Sequence, residues 1–179
     1  MSHILGIDVS TAIVGISILD RISGNLALLD HIELSKLPDI YEKSDLVNKY
    51  LIELNKKYSI EYVYIEEALQ RFRQGASSAR TISILNKFNG IVTYLSYKAF
   101  NVKPEHILAP HARKVCGVII TKKEKKLKGA KQITFEYVKN ELNDKFILQY
   151  KRTGKMKDWH LDEADAWIIA RAGYLKYHI

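Results

Sequence analysis

Four acidic residues stand at the ends of otherwise apolar stretches, and together they have the chemistry of a hard-cation site. Asp8 closes Ile4-Leu5-Gly6-Ile7, Glu66 follows Val63-Tyr64-Ile65, and Asp162 and Asp165 bracket Ala164 just ahead of Trp167 and Ile168. A carboxylate set in apolar sequence needs a partner, because a buried unpaired charge costs several kcal/mol and otherwise takes up a proton. A metal ion is such a partner. Residues three apart on a helix lie roughly 60° apart around its axis, so Asp162 and Asp165 point the same way and could hold one cation together. If the strand carrying Asp8 runs parallel to and beside that carrying Glu66, all four converge at the strands' C-terminal ends. Oxygen-only ligands favour Mg²⁺ or Mn²⁺ over zinc, and two such ions about 3.5–4 Å apart can clamp both sides of an in-line phosphoryl displacement. Taken singly, the residues have plainer readings: Asp8 as a strand-end turn residue, Asp162 with Glu163 as complements to a helix dipole. Glu66 and Glu67 cannot both face one site from a regular strand.

The elements that must position these groups follow from periodicity. His3 to Val9 reads as a strand covered on both faces, and Ala12 to Leu19 and Leu26 to Leu34, parted by Gly24-Asn25, complete a three-stranded antiparallel meander. Apolar spacing at Ile40, Leu46, Val47, Tyr50, Leu51 and Leu54 predicts a helix over 39–57. Glu61 to Glu67 alternates, with Tyr62, Tyr64 and Glu66 on one face. A long helix is expected over 76–100, stopped before Pro104. His106 to Ala109 is a short apolar run, Pro110 suits the first turn of a following helix, and further helices are expected at Gly129–Leu142 and Leu161–Tyr177. This order is α/β: a mixed sheet flanked by helices on both faces. Thr121–Lys128 and Lys151–Lys157 are Lys-rich, lack a core pattern and read as mobile loops.

At 179 residues the chain should form one domain, 1–179. Its 47% hydrophobic and 27% charged residues exclude a disordered or fibrous chain. Lys and Arg total 28 against 20 acidic residues, a formal +8, the balance of a protein that meets polyanions. No run approaches the ~20 apolar residues of a membrane span, and no basic region with a signal-peptide core opens the chain, so a soluble intracellular protein is expected, with no membrane and no small-molecule cofactor. The single Cys116 excludes an internal disulfide framework and a thiolate zinc site, and suits a small buried side chain. Nearly all the net charge lies between Arg113 and Lys131, where Arg113, Lys114, Lys122, Lys123, Lys125, Lys126, Lys128 and Lys131 face only Glu124. Arg71, Arg73 and Arg80 follow the Glu66 strand, and Lys151, Arg152, Lys155 and Lys157 precede Asp162. Such clusters neutralise phosphates and make binding fall steeply with salt, without reading bases.

The opening Gly6-Ile7-Asp8, the strand Ile65-Glu66-Glu67 and the closing His160-Leu161-Asp162-Glu163-Ala164-Asp165-Ala166 resemble the RuvC family of Holliday junction resolvases, in the ribonuclease H-like superfamily. The resemblance spans nearly the whole chain, and the Asp-x-x-Asp-Ala ending is its most specific part. It implies a five-stranded mixed sheet, a meander plus two parallel strands, and a homodimer cutting symmetric strands of four-way branched DNA. It also implies metal ligands at Asp8, Glu66, Asp162 and Asp165, selecting Glu66 over Glu67. Two Mg²⁺ ions per site are implied, with Mn²⁺ as substitute. Pro110-His111-Ala112-Arg113-Lys114 is similar to the family's Pro-x-x-x-Lys segment, which makes Lys114 the match for a lysine near the scissile phosphate. Gly129-Ala130-Lys131-Gln132 is similar to its Ala-x-Lys-x-Gln helix start, one residue shorter, and makes Lys131 the second. By resemblance and charge, Arg71, Phe72, Arg73, Arg80, Arg113, Lys114, Lys122, Lys123 and Lys131 are the expected DNA contacts.

The sequence also departs from the pattern. The family's aromatic position three after the strand glutamate is Leu69, with Phe72 a helical turn later, and its Asp-Pro-Gly opening is Asp8-Val9-Ser10. The longer basic connections resemble viral, phage or organellar members, which implies the cytoplasm of a prokaryote or infected host cell, or an organelle. Three other readings compete: a non-catalytic junction- or RNA-binding module, an RNA-processing nuclease of the YqgF type, and an actin-like or sugar-kinase phosphate domain suggested by Gly6-Ile7-Asp8-Val9-Ser10-Thr11. Metal dependence separates the first and junction preference the second, and the third needs a second similar domain. The helix over 76–100 is the expected dimer surface.

Overall fold

The computed structural model of the chain describes residues 1–68 and 79–178, with side chains through 176. The apolar, β-branched runs form β1 (Ser2–Val9), β2 (Ile13–Asp20) and β3 (Leu26–Glu33), joined as the expected antiparallel meander. β4 (Ser59–Glu66) pairs with β1 in parallel, and the short β5 (Glu105–Ile107) pairs with β4 in parallel. The result is the expected mixed five-stranded sheet, in the order β3-β2-β1-β4-β5. β1 is its central strand, buried on both faces, which is why its sequence is a nearly continuous apolar run.

Helices cover both faces. α1 (Ile40–Lys57) starts at Asp39, whose carboxylate accepts from the Tyr41 and Glu42 N–H groups, and it ends in Lys56 and Lys57. Val47, Leu51 and Leu54 of α1 and Phe88, Val92 and Phe100 of α2 (Ala79–Phe100) pack on Leu5, Ile7, Ile16 and Ile65. On the opposite face, α3 (Ala109–Val115), α5 (Ala130–Leu142) and α6 (Trp159–His178) bury Ala112, Phe135, Val138, Trp167 and Ile168 against Ile4, Leu19 and Tyr64. Cys116 belongs to this second core, as a small buried side chain should.

The approach of α6 to the sheet is set by two glycines. A Cβ on Gly6 of β1 would lie 2.5 Å from the Ala166 carbonyl oxygen and the Ala170 nitrogen, and one on Gly15 of β2 would overlap the Asp162 carbonyl. Only the absence of side chains there lets α6 lie directly on the sheet. The segment read as a mobile loop at Thr121–Lys128 is instead a helix, α4 (Lys122–Lys128). Thr121 and Glu124 form a reciprocal capping box, and no residue of α4 is buried, so the helix stands on its own caps and shows no core periodicity. Lys151–Lys157 lies outside the regular elements, as expected, and is pinned by the Lys151 N–H to the Lys155 carbonyl and a Tyr150–Met156 bridge. Among the described residues no helix is long and apolar enough to cross a membrane.

Candidate active site

Strand alternation sends Gly6 and Asp8 of β1, and Tyr62, Tyr64 and Glu66 of β4, to the α6 face. The parallel register sets Gly6 beside Tyr64 and Ile7 beside Ile65, which brings Asp8 next to Glu66 at the strand ends. α6, seated on Gly6, then delivers Asp165 from above. One carboxylate oxygen from each of Asp8, Glu66 and Asp165 lies within 4.8 Å of the others. Asp8 and Asp165 are buried at 5% and 3% exposure. Asp162 sits beside this trio and is tied to it by Lys131 of α5, whose ammonium lies 2.7 Å from Asp162 Oδ1, 3.3 Å from Asp8 Oδ2 and 3.3 Å from Asp165 Oδ2. Arg113 of α3 approaches from the other side: its Nε donates to Thr134 Oγ1 at 2.9 Å and its NH2 group to Asp165 Oδ1 at 3.4 Å.

The electrostatics are those of anions crowded into a dry place. Burial, then repulsion from Glu66, pushes the Asp8 carboxyl well above the usual carboxylate range, against the pull of Lys131. Burial raises Glu66 too, offset in part by a hydrogen bond donated by the Asp8 carboxyl. Both shifts favour uptake of a proton in the absence of a cation, and a divalent cation held between the two carboxylates would oppose them. Burial alone would lower Lys131, but Asp8, Asp165 and Asp162 outweigh it and hold the ammonium above its ordinary value. Asp165 Oδ2 is buried without a hydrogen-bond partner. The Lys131 ammonium lies 3.3 Å from that oxygen, and the all-oxygen donor set fits Mg²⁺ or Mn²⁺.

Of the remaining residues singled out by the sequence, Lys114 is exposed and lines a hollow of about 270 Å³ with Pro110, Arg113 and Lys125. Lys122 and Lys123 are exposed on α4, and Arg80 is exposed in the first turn of α2. Leu69, Arg71, Phe72 and Arg73 lie outside the described residues. Glu67 diverges from Glu66 toward the β5 edge, where it lines a cavity with His106 and His111. Sequence reasoning did not foresee the side of α6 opposite the carboxylates, where Glu163 meets His31 of β3 and His160. The His160/Glu163 spacing of three, one helical turn, was its only trace.

No protein-family model matches the sequence, and no curated protein matches it. Solved structures do. The chain is similar to Thermus thermophilus RuvC in complex with a Holliday junction substrate, with a TM-score of 0.67 at 14% identity over 99% of this chain and 96% of that one. A second Thermus thermophilus RuvC structure gives 0.64 at 17% identity, covering 98% and 95%. The yeast mitochondrial Holliday junction resolvase Ydc2 gives 0.60 at 15% identity, covering 99% and 81%. With its strand order and its helices on both faces of the sheet, the chain has the ribonuclease H-like fold of the RuvC and Ydc2 Holliday junction resolvases.

Proposed function

We propose that this protein is a structure-selective DNA endonuclease that resolves four-way junctions by paired, symmetric incisions leaving 5′-phosphate and 3′-hydroxyl ends. The observation that carries this reading is the meeting of Asp8, Glu66 and Asp165 within 4.8 Å at the strand ends. Asp8, Glu66, Asp165 and Asp162 would hold two Mg²⁺ ions, with Mn²⁺ able to replace them; when bound, the ions supply activation of a water and stabilisation of the departing 3′-oxygen. Asp8 would have to be ionised to serve as a ligand. Lys131, whose ammonium already reaches three of the carboxylates, would offset charge on the phosphate undergoing attack. Arg113 fixes the orientation of Asp165 through its bonds to Asp165 and Thr134. Lys114, Lys122 and Lys123 would take the DNA backbone.

A homodimer would match its two-fold axis to that of the junction, so that paired sites cut strands of like polarity. Ile84, Tyr94 and Tyr97, large and exposed on α2, support that helix as the contact. The test is strand-specific cleavage of a fixed four-way DNA junction beside a linear duplex of the same sequence, in Mg²⁺ and in EDTA, with Asp8→Asn. Paired nicks on the junction alone, lost in EDTA and reduced at least about a hundredfold in Asp8→Asn, are expected. Junction binding without cutting in either metal would refute the nuclease reading, and preferential cutting of RNA would replace its substrate.

A further inference from the structure

Glu163 follows Asp162 on α6, yet it faces away from the carboxylate cluster. Its side chain is 7% exposed, with Oε1 2.8 Å from His31 Nδ1 of β3 and Oε2 2.6 Å from His160 Nδ1. The tautomer of His160 is settled by its other nitrogen. The Gln149 N–H donates to His160 Nε2 at 2.8 Å, so Nε2 bears no proton, and Nδ1–H donates to Glu163. The chain of bonds continues outward through β3. Asp30 Oδ1 accepts from the backbone N–H of His31 at 2.8 Å, not from its ring, and Asp30 Oδ2 accepts the Tyr50 hydroxyl of α1 at 2.6 Å. Trp159 stacks on His31 at 4.3 Å and 18°.

Donor atoms of Asp30, His31 and Glu163 lie within 4.8 Å of one another, close enough to raise a second cation as an explanation. The bonding argues against one. Both Glu163 oxygens lie within hydrogen-bond distance of histidine nitrogens and both Asp30 oxygens already accept, so protons suffice to hold these groups together. Its mechanical consequence lies in the helix. Consecutive helical residues point about 100° apart, so Glu163 adds to the seat of α6 on Gly6 and Gly15 a hydrogen-bonded anchor to β3 that resists rotation of the turn bearing Asp162.

We propose that Glu163, gripped by His31 and His160, is a positioning residue that fixes the rotation of the first turn of α6 and thereby the presentation of Asp162 and Asp165 to the metal; this rests on the nuclease reading above. Buried partners that orient metal ligands typically contribute about 10–100-fold in metal affinity or activity. The test is Mn²⁺ binding by calorimetry on the DNA-free protein, with kcat and KM on the junction, for Glu163→Ala, Glu163→Gln and His31→Asn. Glu163→Ala is expected to weaken Mn²⁺ binding and lower kcat by about 10–100-fold while KM holds. Glu163→Gln is expected to restore most of both, because its amide oxygen accepts from His160 and its NH₂ donates to His31 in the other tautomer. If Glu163→Ala does not fold, His31→Asn, which keeps one donor toward Glu163, carries the test, and it should stay within a few fold of wild type while His31→Ala falls with the loss of the grip.

Wild-type Mn²⁺ affinity and kcat in Glu163→Ala, or in His31→Ala, overturn the proposal. So does stoichiometric zinc binding that disappears in His31→Ala, which would make the cluster a metal site. A wild-type protein that neither binds Mn²⁺ nor cuts the junction brings down the nuclease reading and this one with it. Variants that match an active wild type bring down this one alone.

Discussion

Burial raises the pKa of both Asp8 and Cys116, but only Asp8 stands among other carboxylates with which it could share a cation. Burial pushes the Cys116 thiol up to about 12, and its Sγ donates to the Ile168 carbonyl. A raised thiol pKa means that the reactive thiolate is scarce below that value. At pH 8 the native protein should therefore alkylate with iodoacetamide roughly a thousandfold more slowly than a free thiol. Mass spectrometry of labelling against urea checks this, with modification tracking unfolding; fast labelling of the native state would show that Cys116 is accessible. Asp8 instead faces Glu66, Asp165 and Lys131, an arrangement in which a cation would favour its ionised form. The carboxylates were legible as residues because acids in apolar runs demand a partner. Arg113 was not: in the sequence it is one more charge in a basic run, and its bond to Asp165 joins residues 52 positions apart.

At the scale of elements, the site depends on how closely α6 lies on β1. Gly6→Ala would place a methyl group on the α6 backbone, and overpacking of this kind costs about 1–3 kcal/mol, occasionally more. Because the strain falls between Asp8 and Asp165, Mn²⁺ affinity should drop with stability. Leu51→Ala, fully buried in the other core, should cost about 2–5 kcal/mol and leave Mn²⁺ affinity unchanged. Urea unfolding and calorimetry on the two variants separate these outcomes, and equal effects on metal binding would disprove a site set by the Gly6 contact. Most elements could be read from periodicity, since each buries a face. α4 could not, because it buries nothing and its only signal was the Thr121/Glu124 cap.

For the whole molecule, the +8 charge is concentrated on one stretch that folds beside the acidic cluster: α3, α4 and the start of α5 carry it, and Lys131 and Arg113 turn inward to the carboxylates. Lys122 and Lys123 of α4 are exposed and, on the proposed reading, would meet phosphates, whereas Lys128 pairs with Glu136. Each phosphate contact contributes about 0.9 to the slope of log affinity against log salt, so replacing Lys122 and Lys123 with Ala should flatten that slope by about 2 for junction and duplex alike. Fluorescence anisotropy over a salt series measures it, and an unchanged slope would remove α4 from the DNA surface. The sequence by itself determined the strands, the helices that bury a face and the acidic residues set in apolar runs, because burial writes a local pattern into the chain. Only the tertiary structure decided which charges are spent inside the protein and which face outward, and that Glu163 and His31 grip the helix bearing Asp162 and Asp165. Those pairings join residues far apart in the chain, and no local pattern encodes the contact of one element with another.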